Sequence, residues 1–139
     1  MNIDVNAVRD GVIGALKSLH PSLKVYGEEI KQGLVEPCFF VKILTAGQKR
    51  EINRRYVRSH LFDIHFFSKS NEEHYAMAES LLGGMEYIEV NGRLTRGTAM
   101  SYQVIDRVLH FFVNYNFHVL REKQDETKMQ NLEQEEIIK

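Results

Sequence analysis

Asp63, His65 and one of two further histidines are side chains of this 139-residue sequence whose spacing could suit a metal ion. Asp63 and His65 are two residues apart and would share one face of a strand. His110 or His118 could join them from a neighbouring strand, although these two histidines are about 26 Å apart along a strand and cannot bind one ion together. No second ligand pair at metal-binding spacing supports such a site. The pattern therefore favours ordinary polar residues, and we expect no metal and no cofactor.

Other signatures of enzymes are not found in the sequence. It contains no GxxxxGK[ST] or GxGxxG loop for phosphates and no GxSxG nucleophile. The single cysteine, Cys38, lies in the apolar run that follows Pro37, where a thiol usually serves as inert packing. We expect a protein that is not an enzyme. A metal-dependent enzyme built on Asp63, His65 and a histidine of residues 108–120 ranks last among the alternatives.

A basic cluster is the stronger candidate for a binding site. Residues 46–53 are predicted to form an exposed loop or the tip of a hairpin, because the segment is polar. Such a cluster could contact phosphates or an acidic protein surface, although a solvated loop is the alternative. With a formal net charge of -1, the whole chain has no general attraction for nucleic acid. The basic side chains of the cluster are Lys49, Arg50, Arg54, Arg55 and Arg58.

The segment 108–120 predicts a long, central strand to position these groups. Its odd positions from 109 to 119 are all apolar, and its even positions are mostly polar, which is the period of a strand and not of a helix. Two helices can cover one face of such a sheet, so the other must be wet or covered by another subunit. Mixed polar and aromatic side chains suit an oligomer interface. The candidate interface residues are His110, Phe112, Asn114, Asn116 and His118.

The rest of the chain predicts two helices and further strands. Asp4 can cap a first helix, and Ser70 with Glu73 forms a capping box for a second, whose inner face would carry Tyr75, Ala78, Leu81, Leu82 and Met85. Strands are predicted at residues 24–30, 38–44, 56–67, 87–90 and from 93 onward. Asn91-Gly92 and Asp106-Arg107 are predicted as turns. The order is α-β-β-β-α-β-β-β, an α+β domain with a mainly antiparallel central sheet and two helices on one face.

Composition sets the domain organisation and the compartment that we expect. The length suits a single domain, which we assign to residues 1–120, with a charged tail at residues 121–139 that is helical or disordered. Asp4, Arg9 and Asp10 stand where a signal peptide needs an apolar run. No stretch reaches the ~18 apolar residues of a membrane span. We therefore expect a cytoplasmic protein without membrane contact.

The whole pattern resembles the tail terminator, or tail completion, proteins of long-tailed bacteriophages and prophages. The likeness covers about residues 3–120, and the segments LFDIHFF and LHFFVNYNFHV carry most of it, together with the Ser70 capping box and the Asn91-Gly92 hairpin. Asp106-Arg107 stands where a glycine-containing turn is expected. The resemblance implies an α+β fold with a mostly antiparallel sheet, no enzymatic activity and no cofactor.

The resemblance also implies partners and a function. Proteins of this kind form ring-shaped hexamers that cap the tail tube, stop its polymerisation and prepare the joining of head and tail. The partners would be other copies of the chain, the tail tube protein and the neck proteins. The ring would assemble in the cytoplasm of the bacterial host. DNA would pass through it without sequence-specific contacts. The basic cluster would contact the tube end or the ring lumen. A different neck or connector component is the close alternative, and a small nucleic-acid-binding protein is a more distant one.

Overall fold

The computed structural model describes residues 3–27 and 35–120 and has the predicted α+β architecture. Within these ranges, neither helix is long and apolar enough to cross a membrane. The predicted tail at residues 121–139 lies outside the described residues. The elements in chain order are α1 (Val5–Leu19), β1 (Lys24–Tyr26), β2 (Cys38–Arg50), β3 (Arg55–Phe67), α2 (Asn71–Gly84), β4 (Tyr87–Val90), β5 (Arg93–Ile105) and β6 (Val108–Leu120).

The strands form one sheet in the order β1-β2-β3-β6-β5-β4. β1 runs parallel to β2, and the other neighbouring pairs are antiparallel. β6 therefore lies in the interior of the sheet, between β3 and β5, as its alternating pattern predicts. The pairing of β3 with β6 extends over the full length of both strands, from Arg55 opposite Leu120 to Phe67 opposite Val108.

Two tight turns fix how the strands meet. Asn91 and Gly92 connect β4 to β5, and Asp106 and Arg107 connect β5 to β6, all with positive φ between 49° and 78°. Left-handed backbone at both central residues matches the twist of the flanking strands. The Asp106-Arg107 turn adopts this geometry without glycine, so the lack of the expected glycine does not alter the hairpin.

The helices pack on one face through short apolar stripes. The Asp4 carboxylate accepts a hydrogen bond from the Ala7 amide at 2.8 Å and starts α1, whose Val8, Val12 and Leu16 are buried. The Ser70 hydroxyl accepts from the Glu73 amide at 3.2 Å and starts α2 as predicted.

The predicted inner face of α2 was wrong at one position. Tyr75 is 51% exposed, because the buried stripe runs through His74, Met77, Ala78 and Leu81 instead. Met77 and Ala78 each lie three or four residues from both His74 and Leu81, which places all four on one face of the helix, and Tyr75 lies one residue off that stripe.

The core lies between this helical layer and the inner face of the sheet. Phe62, Phe111 and Tyr115 are fully buried there. The Tyr115 hydroxyl donates to the Met85 carbonyl at 2.6 Å, which satisfies both groups in the interior. Gly97 faces Tyr115 across β5 and β6, and a Cβ at this position would lie 2.8 Å from Val113 Cγ2, so only glycine permits the close approach.

The structure corrects two predicted boundaries in the first half of the chain. Strand β2 continues to Arg50, so the loop predicted at residues 46–53 is limited to residues 51–54. A polar sequence does not exclude a strand here, because an exposed strand tolerates polar side chains and its backbone pairing does not depend on those side chains. Strand β1 ends at Tyr26, and residues 28–30 of the predicted first strand lie outside the described residues.

Candidate functional site

The far ends of β2, β3 and β6 form a surface that we call the basic arm, residues 45–59 and 116–120. Every one of these residues is exposed or half-buried. The same three strands are mostly buried at residues 38–43, 60–67 and 108–115, which we call the covered half. A β-bulge in β2 between Ile43 and Thr45 marks the start of the arm, and an extra residue there changes which side chains face each side.

The structure brings the predicted basic residues together at the end of the arm. Lys49 and Arg50 end β2, Arg54 lies in the turn, and Arg55 and Arg58 are on β3. Register places Lys49 opposite Val57 on the outer face of the sheet, and Arg55 shares that face. The cluster is therefore a positively charged hairpin tip and not a long loop.

Arg58 differs from the other members of the cluster. It is half-buried, and its Nη1 donates a hydrogen bond to the Ile3 carbonyl at 2.8 Å. Arg50 Nε donates to the Asn53 carbonyl at 2.8 Å, which holds the turn. Arg58 therefore ties the arm to the start of the helical layer, whereas Lys49 and Arg55 are exposed.

Apolar side chains accompany the charges at the tip. Ile52 is 70% exposed and Leu120 is 67% exposed. They line a shallow hollow of about 260 Å³ with Asn53, Arg54 and Arg55. No role for Ile52 was predicted from the sequence, although an isolated apolar residue in a polar turn is a signal that could have indicated one. Mixed apolar and basic chemistry of this kind suits a protein surface.

The predicted interface residues of β6 divide into two groups. His110, Phe112 and Asn114 are half-buried and make contacts within the chain. The His110 and Phe112 rings stack with centroids 6.3 Å apart, and Asn114 Oδ1 accepts from the His60 amide at 3.2 Å.

The other two interface candidates are exposed. Asn116 lies opposite Ser59, and His118 Nδ1 lies 3.5 Å from the Glu51 carboxylate across the arm. On this outer face, a partner could therefore reach the arm end of β6 more readily than the half-buried end.

His60 lies at the boundary between the covered half and the arm, and no role for it was predicted from the sequence. The ring is 1% exposed, stacks on Phe117 at 5.2 Å and contacts the Tyr115 carbonyl through Nδ1 at 3.1 Å. Burial lowers the pKa of His60, the positive charge of Arg58 lowers it further, and the hydrogen bond to Tyr115 opposes them. Period-two alternation through Phe62 is the signal that places His60 on the inner face.

Asp63, His65 and His110 meet on the outer face of the covered half. His65 lies directly opposite His110, and Asp63 precedes His65 by two residues on the same face. His65 Nε2 donates to Asp63 Oδ2 at 2.9 Å, and His110 Nδ1 donates to the same oxygen at 3.0 Å. His118, the other histidine considered from the sequence, lies at the opposite end of β6 and does not join them.

The surroundings of this cluster set the charge of its carboxyl group. Burial raises the pKa of Asp63, and the hydrogen bonds and charges of His65 and His110 outweigh it, so the pKa lies below the ordinary value. Phe40 packs edge-on against His65 at 5.3 Å. Asp63 is therefore an ionised carboxylate held between two imidazoles beside an aromatic wall.

Cys38 does not contribute to any of these surfaces. Its side chain is fully buried at the start of β2. Burial raises the pKa of the thiol, and the negative charge of Glu36 adds to the effect. A thiol that is both inaccessible and reluctant to ionise is a poor nucleophile.

Fold and geometry define a class of small α+β protein whose chemistry lies on exposed surfaces of a sheet covered by helices on one face. Residues 7–127 match the family model described as phage tail terminator protein, and the chain belongs to that family. It is thus a structural component of a phage tail that associates with other tail components.

Comparison with curated proteins finds no match. Several solved structures are similar to this chain. One of them has a TM-score of 0.45 and 11% sequence identity, over 89% of this chain and 100% of that chain.

Proposed function

We propose that this protein caps the end of the phage tail tube as a ring, stops further polymerisation of the tube and prepares the joining of the tail to the head. The observation that carries the proposal is the family match over residues 7–127. The ring would occupy the surface of the last tube layer and deny it to the next tube subunit. The protein would act by binding alone, without a catalytic step.

The basic arm is the surface that we assign to the tube end or to the ring lumen. Lys49 and Arg55 extend from its outer face, and Ile52 and Leu120 add exposed apolar area beside them. Apolar contacts would supply binding energy, whereas the charges would orient the approach and make it sensitive to salt.

Within and beyond the arm, we assign the outer face of β6 to contacts between subunits, and we keep the basic hairpin tip of β2 and β3 for the tube end or the ring lumen. Rings close through heterologous interfaces, in which one patch of a subunit meets a different patch of the next. Asn116 and His118 are the exposed members of the predicted interface and are its most accessible part. His110, Phe112 and Asn114 would support this face from within the subunit.

Solution mass measured by light scattering across protein concentrations, with and without purified tail tubes, tests the proposal. We expect either a hexamer in the free protein or a smaller species that assembles on tube ends and halts their growth. A monomer at every concentration that leaves tube growth unchanged would contradict it.

A charge variant tests the subunit contact separately. Asn116→Arg should reduce the ring mass, because it places a large cation in the interface. Ala76→Arg on the exposed side of α2 adds the same charge at an exposed helix position and should leave the mass unchanged. Equal ring mass for both variants would place the subunit contact elsewhere.

The nearest rival function is that of another neck or head–tail connector component, which would bind the neck and ignore isolated tubes. The light-scattering experiment separates the two through the choice of partner. In either case we propose a phage or prophage protein that assembles in the host bacterial cytoplasm and enters the neck of the virion. We also propose that residues 1–120 form a single domain.

Binding of nucleic acid by the basic arm is the more distant rival. DNA would pass through the proposed ring without sequence-specific contacts. A true DNA-binding surface would instead give affinity for duplex DNA that falls steeply with salt. Titration of labelled duplex at two salt concentrations distinguishes these functions, because the proposed cap predicts no tight complex in the absence of a tube.

A further inference from the structure

The contacts among Asp63, His65 and His110 follow from the pairing of the two central strands. His65 and His110 are direct cross-strand neighbours, and their ring centroids are 4.3 Å apart. Asp63 is the next residue of β3 on the same face, on the side away from the turn into α2. Three potential metal ligands thus meet at one point of the outer face, although Asp63 and His110 are 47 residues apart in the sequence.

The distances in this cluster match those between ligands of one metal ion. One ligand atom from each of the three side chains lies within 4.8 Å of the other two. Ligands about 2.1 Å from a tetrahedral ion lie about 3.4 Å apart. The carboxylate oxygens of Asp63 are already 2.9 to 3.2 Å from the two imidazole nitrogens, so only small side-chain movements are required.

We propose that Asp63, His65 and His110 bind one divalent transition-metal ion, with Zn²⁺ the best chemical match. Two imidazoles and one carboxylate suit zinc and its neighbours in the first transition row, whereas Mg²⁺ and Ca²⁺ prefer ligand sets made of oxygen. To bind the ion, each neutral imidazole presents a lone pair at the nitrogen that now faces Asp63 and carries its single hydrogen on the other ring nitrogen.

Burial and rigidity favour this site over an ordinary surface cluster. The Asp63 side chain is 8% exposed, and those of His65 and His110 are 17% and 18% exposed. A negative carboxylate in such a position attracts a cation, and the Phe40 and Phe112 rings restrict the two imidazoles. The remaining exposure leaves a path for the ion and a fourth position for water or for a ligand from another chain.

The ion would join β3 to β6 within the covered half, on the same outer face as the arm but separated from it along both strands. This inference goes beyond the capping function and does not depend on it. A His–Asp–His hydrogen-bond network without metal affinity is the competing explanation for the same geometry.

Zinc binding by the full chain tests the proposal directly. The protein is stripped with a chelator and dialysed, then titrated with Zn²⁺ against a chromogenic chelator and, separately, with Co²⁺ as a spectroscopic probe. We expect one bound ion per chain and an absorption spectrum typical of Co²⁺ with a low coordination number. The midpoint of thermal unfolding should be higher with Zn²⁺ than with Mg²⁺.

Three variants assign the ligands. Asp63→Asn, His65→Gln and His110→Gln should each weaken Zn²⁺ binding by about tenfold or more. Changing a residue that only supports a ligand already costs about that much in metal sites, and these three residues would be the ligands themselves. His118→Gln, on the same strand and the same face, is the matched control and should bind Zn²⁺ like the unaltered protein.

Two results would overturn the proposal. One is a chain that takes up no stoichiometric Zn²⁺ or is stabilised equally by Mg²⁺, which would leave only the hydrogen-bond network. The other is unchanged affinity in both histidine variants. Circular dichroism without metal shows whether each variant folds. If a variant does not fold, the Co²⁺ spectrum of the unaltered chain decides, because imidazole ligands and hydrated Co²⁺ give different spectra.

Discussion

The covered half and the basic arm are built from the same three strands, yet they carry different properties. In the covered half, alternate side chains meet the helices, and Phe62, Phe111 and Tyr115 are fully buried. In the arm, the same backbone pairing continues from Thr45 to Arg50 with exposed side chains. Hydrogen-bonded pairing alone sets the course of the chain, whereas burial decides where stability resides. The arm can therefore change in sequence with little cost to folding.

The largest expected effect comes from emptying the covered half. Phe62→Ala should lower the free energy of unfolding by about 3–5 kcal/mol, because it leaves a cavity beneath Tyr115. Ile52→Ala, at the 70% exposed tip, should change it by less than about 0.5 kcal/mol. Urea denaturation of both variants checks this contrast, and similar losses for the two would mean that burial does not account for the difference in stability between the two regions.

The next effect isolates one buried hydrogen bond. Tyr115→Phe should lower the free energy of unfolding by about 1–3 kcal/mol, because the Met85 carbonyl loses its donor in the interior. Tyr87→Phe is the control, since this side chain is 51% exposed and water replaces any lost contact. Thermal denaturation of the two variants measures the difference, and a neutral Tyr115→Phe would mean that the carbonyl finds another donor.

A smaller, pH-dependent effect is expected at the boundary between the two regions. Because burial lowers the pKa of His60 in the folded chain, the unfolded chain binds more protons once the pH falls through the ordinary value of 6.5. Stability contributed by neutral His60 is therefore complete above that pH and is lost as the pH falls towards the lower, folded pKa. Each unit of lowering is worth about 1.4 kcal/mol.

A double comparison separates His60 from the other histidines. The free energy of unfolding is measured near neutrality and again at about one and a half pH units below 6.5, for the unaltered chain and for His60→Gln. We expect a smaller loss on acidification in the variant. Equal losses in the two proteins would mean that His60 does not account for the acid sensitivity.

How much the sequence reveals also differs between the two regions. Alternation in β3 and β6 predicts their inner faces, since both strands have one buried side with a period of two. The arm gives no such signal: its polar residues 46–50 predict a loop or a hairpin tip, whereas the strand pairing continues to Arg50. Neither the bulge after Ile43 nor the left-handed Ala99 in β5 leaves a recognisable local sequence pattern.

The convergence of Asp63, His65 and His110 could be foreseen only in part. The face shared by Asp63 and His65 follows from their spacing, and the sequence named His110 and His118 as possible neighbours. Register decides between them, and it depends on the full course of the chain from Phe67 to Val108, including α2 and two hairpins. No local pattern encodes this pairing, so the structure was needed to select His110.

The smallest effect on folding should accompany a large effect on assembly, and it tests the arm itself. Lys49→Glu combined with Arg55→Glu should change the free energy of unfolding by less than about 0.5 kcal/mol, because both side chains are exposed. Binding to tube ends should weaken strongly and lose its salt dependence, since two positive charges become negative. Lys24→Glu with Lys69→Glu makes the same change of charge at exposed positions outside the arm and is the matched control. Co-sedimentation with tail tubes at low and high salt measures the difference. If both double variants sediment alike, net charge rather than the arm governs binding. The arm would then not be the surface that contacts the tube, although the covered half would still supply the stability.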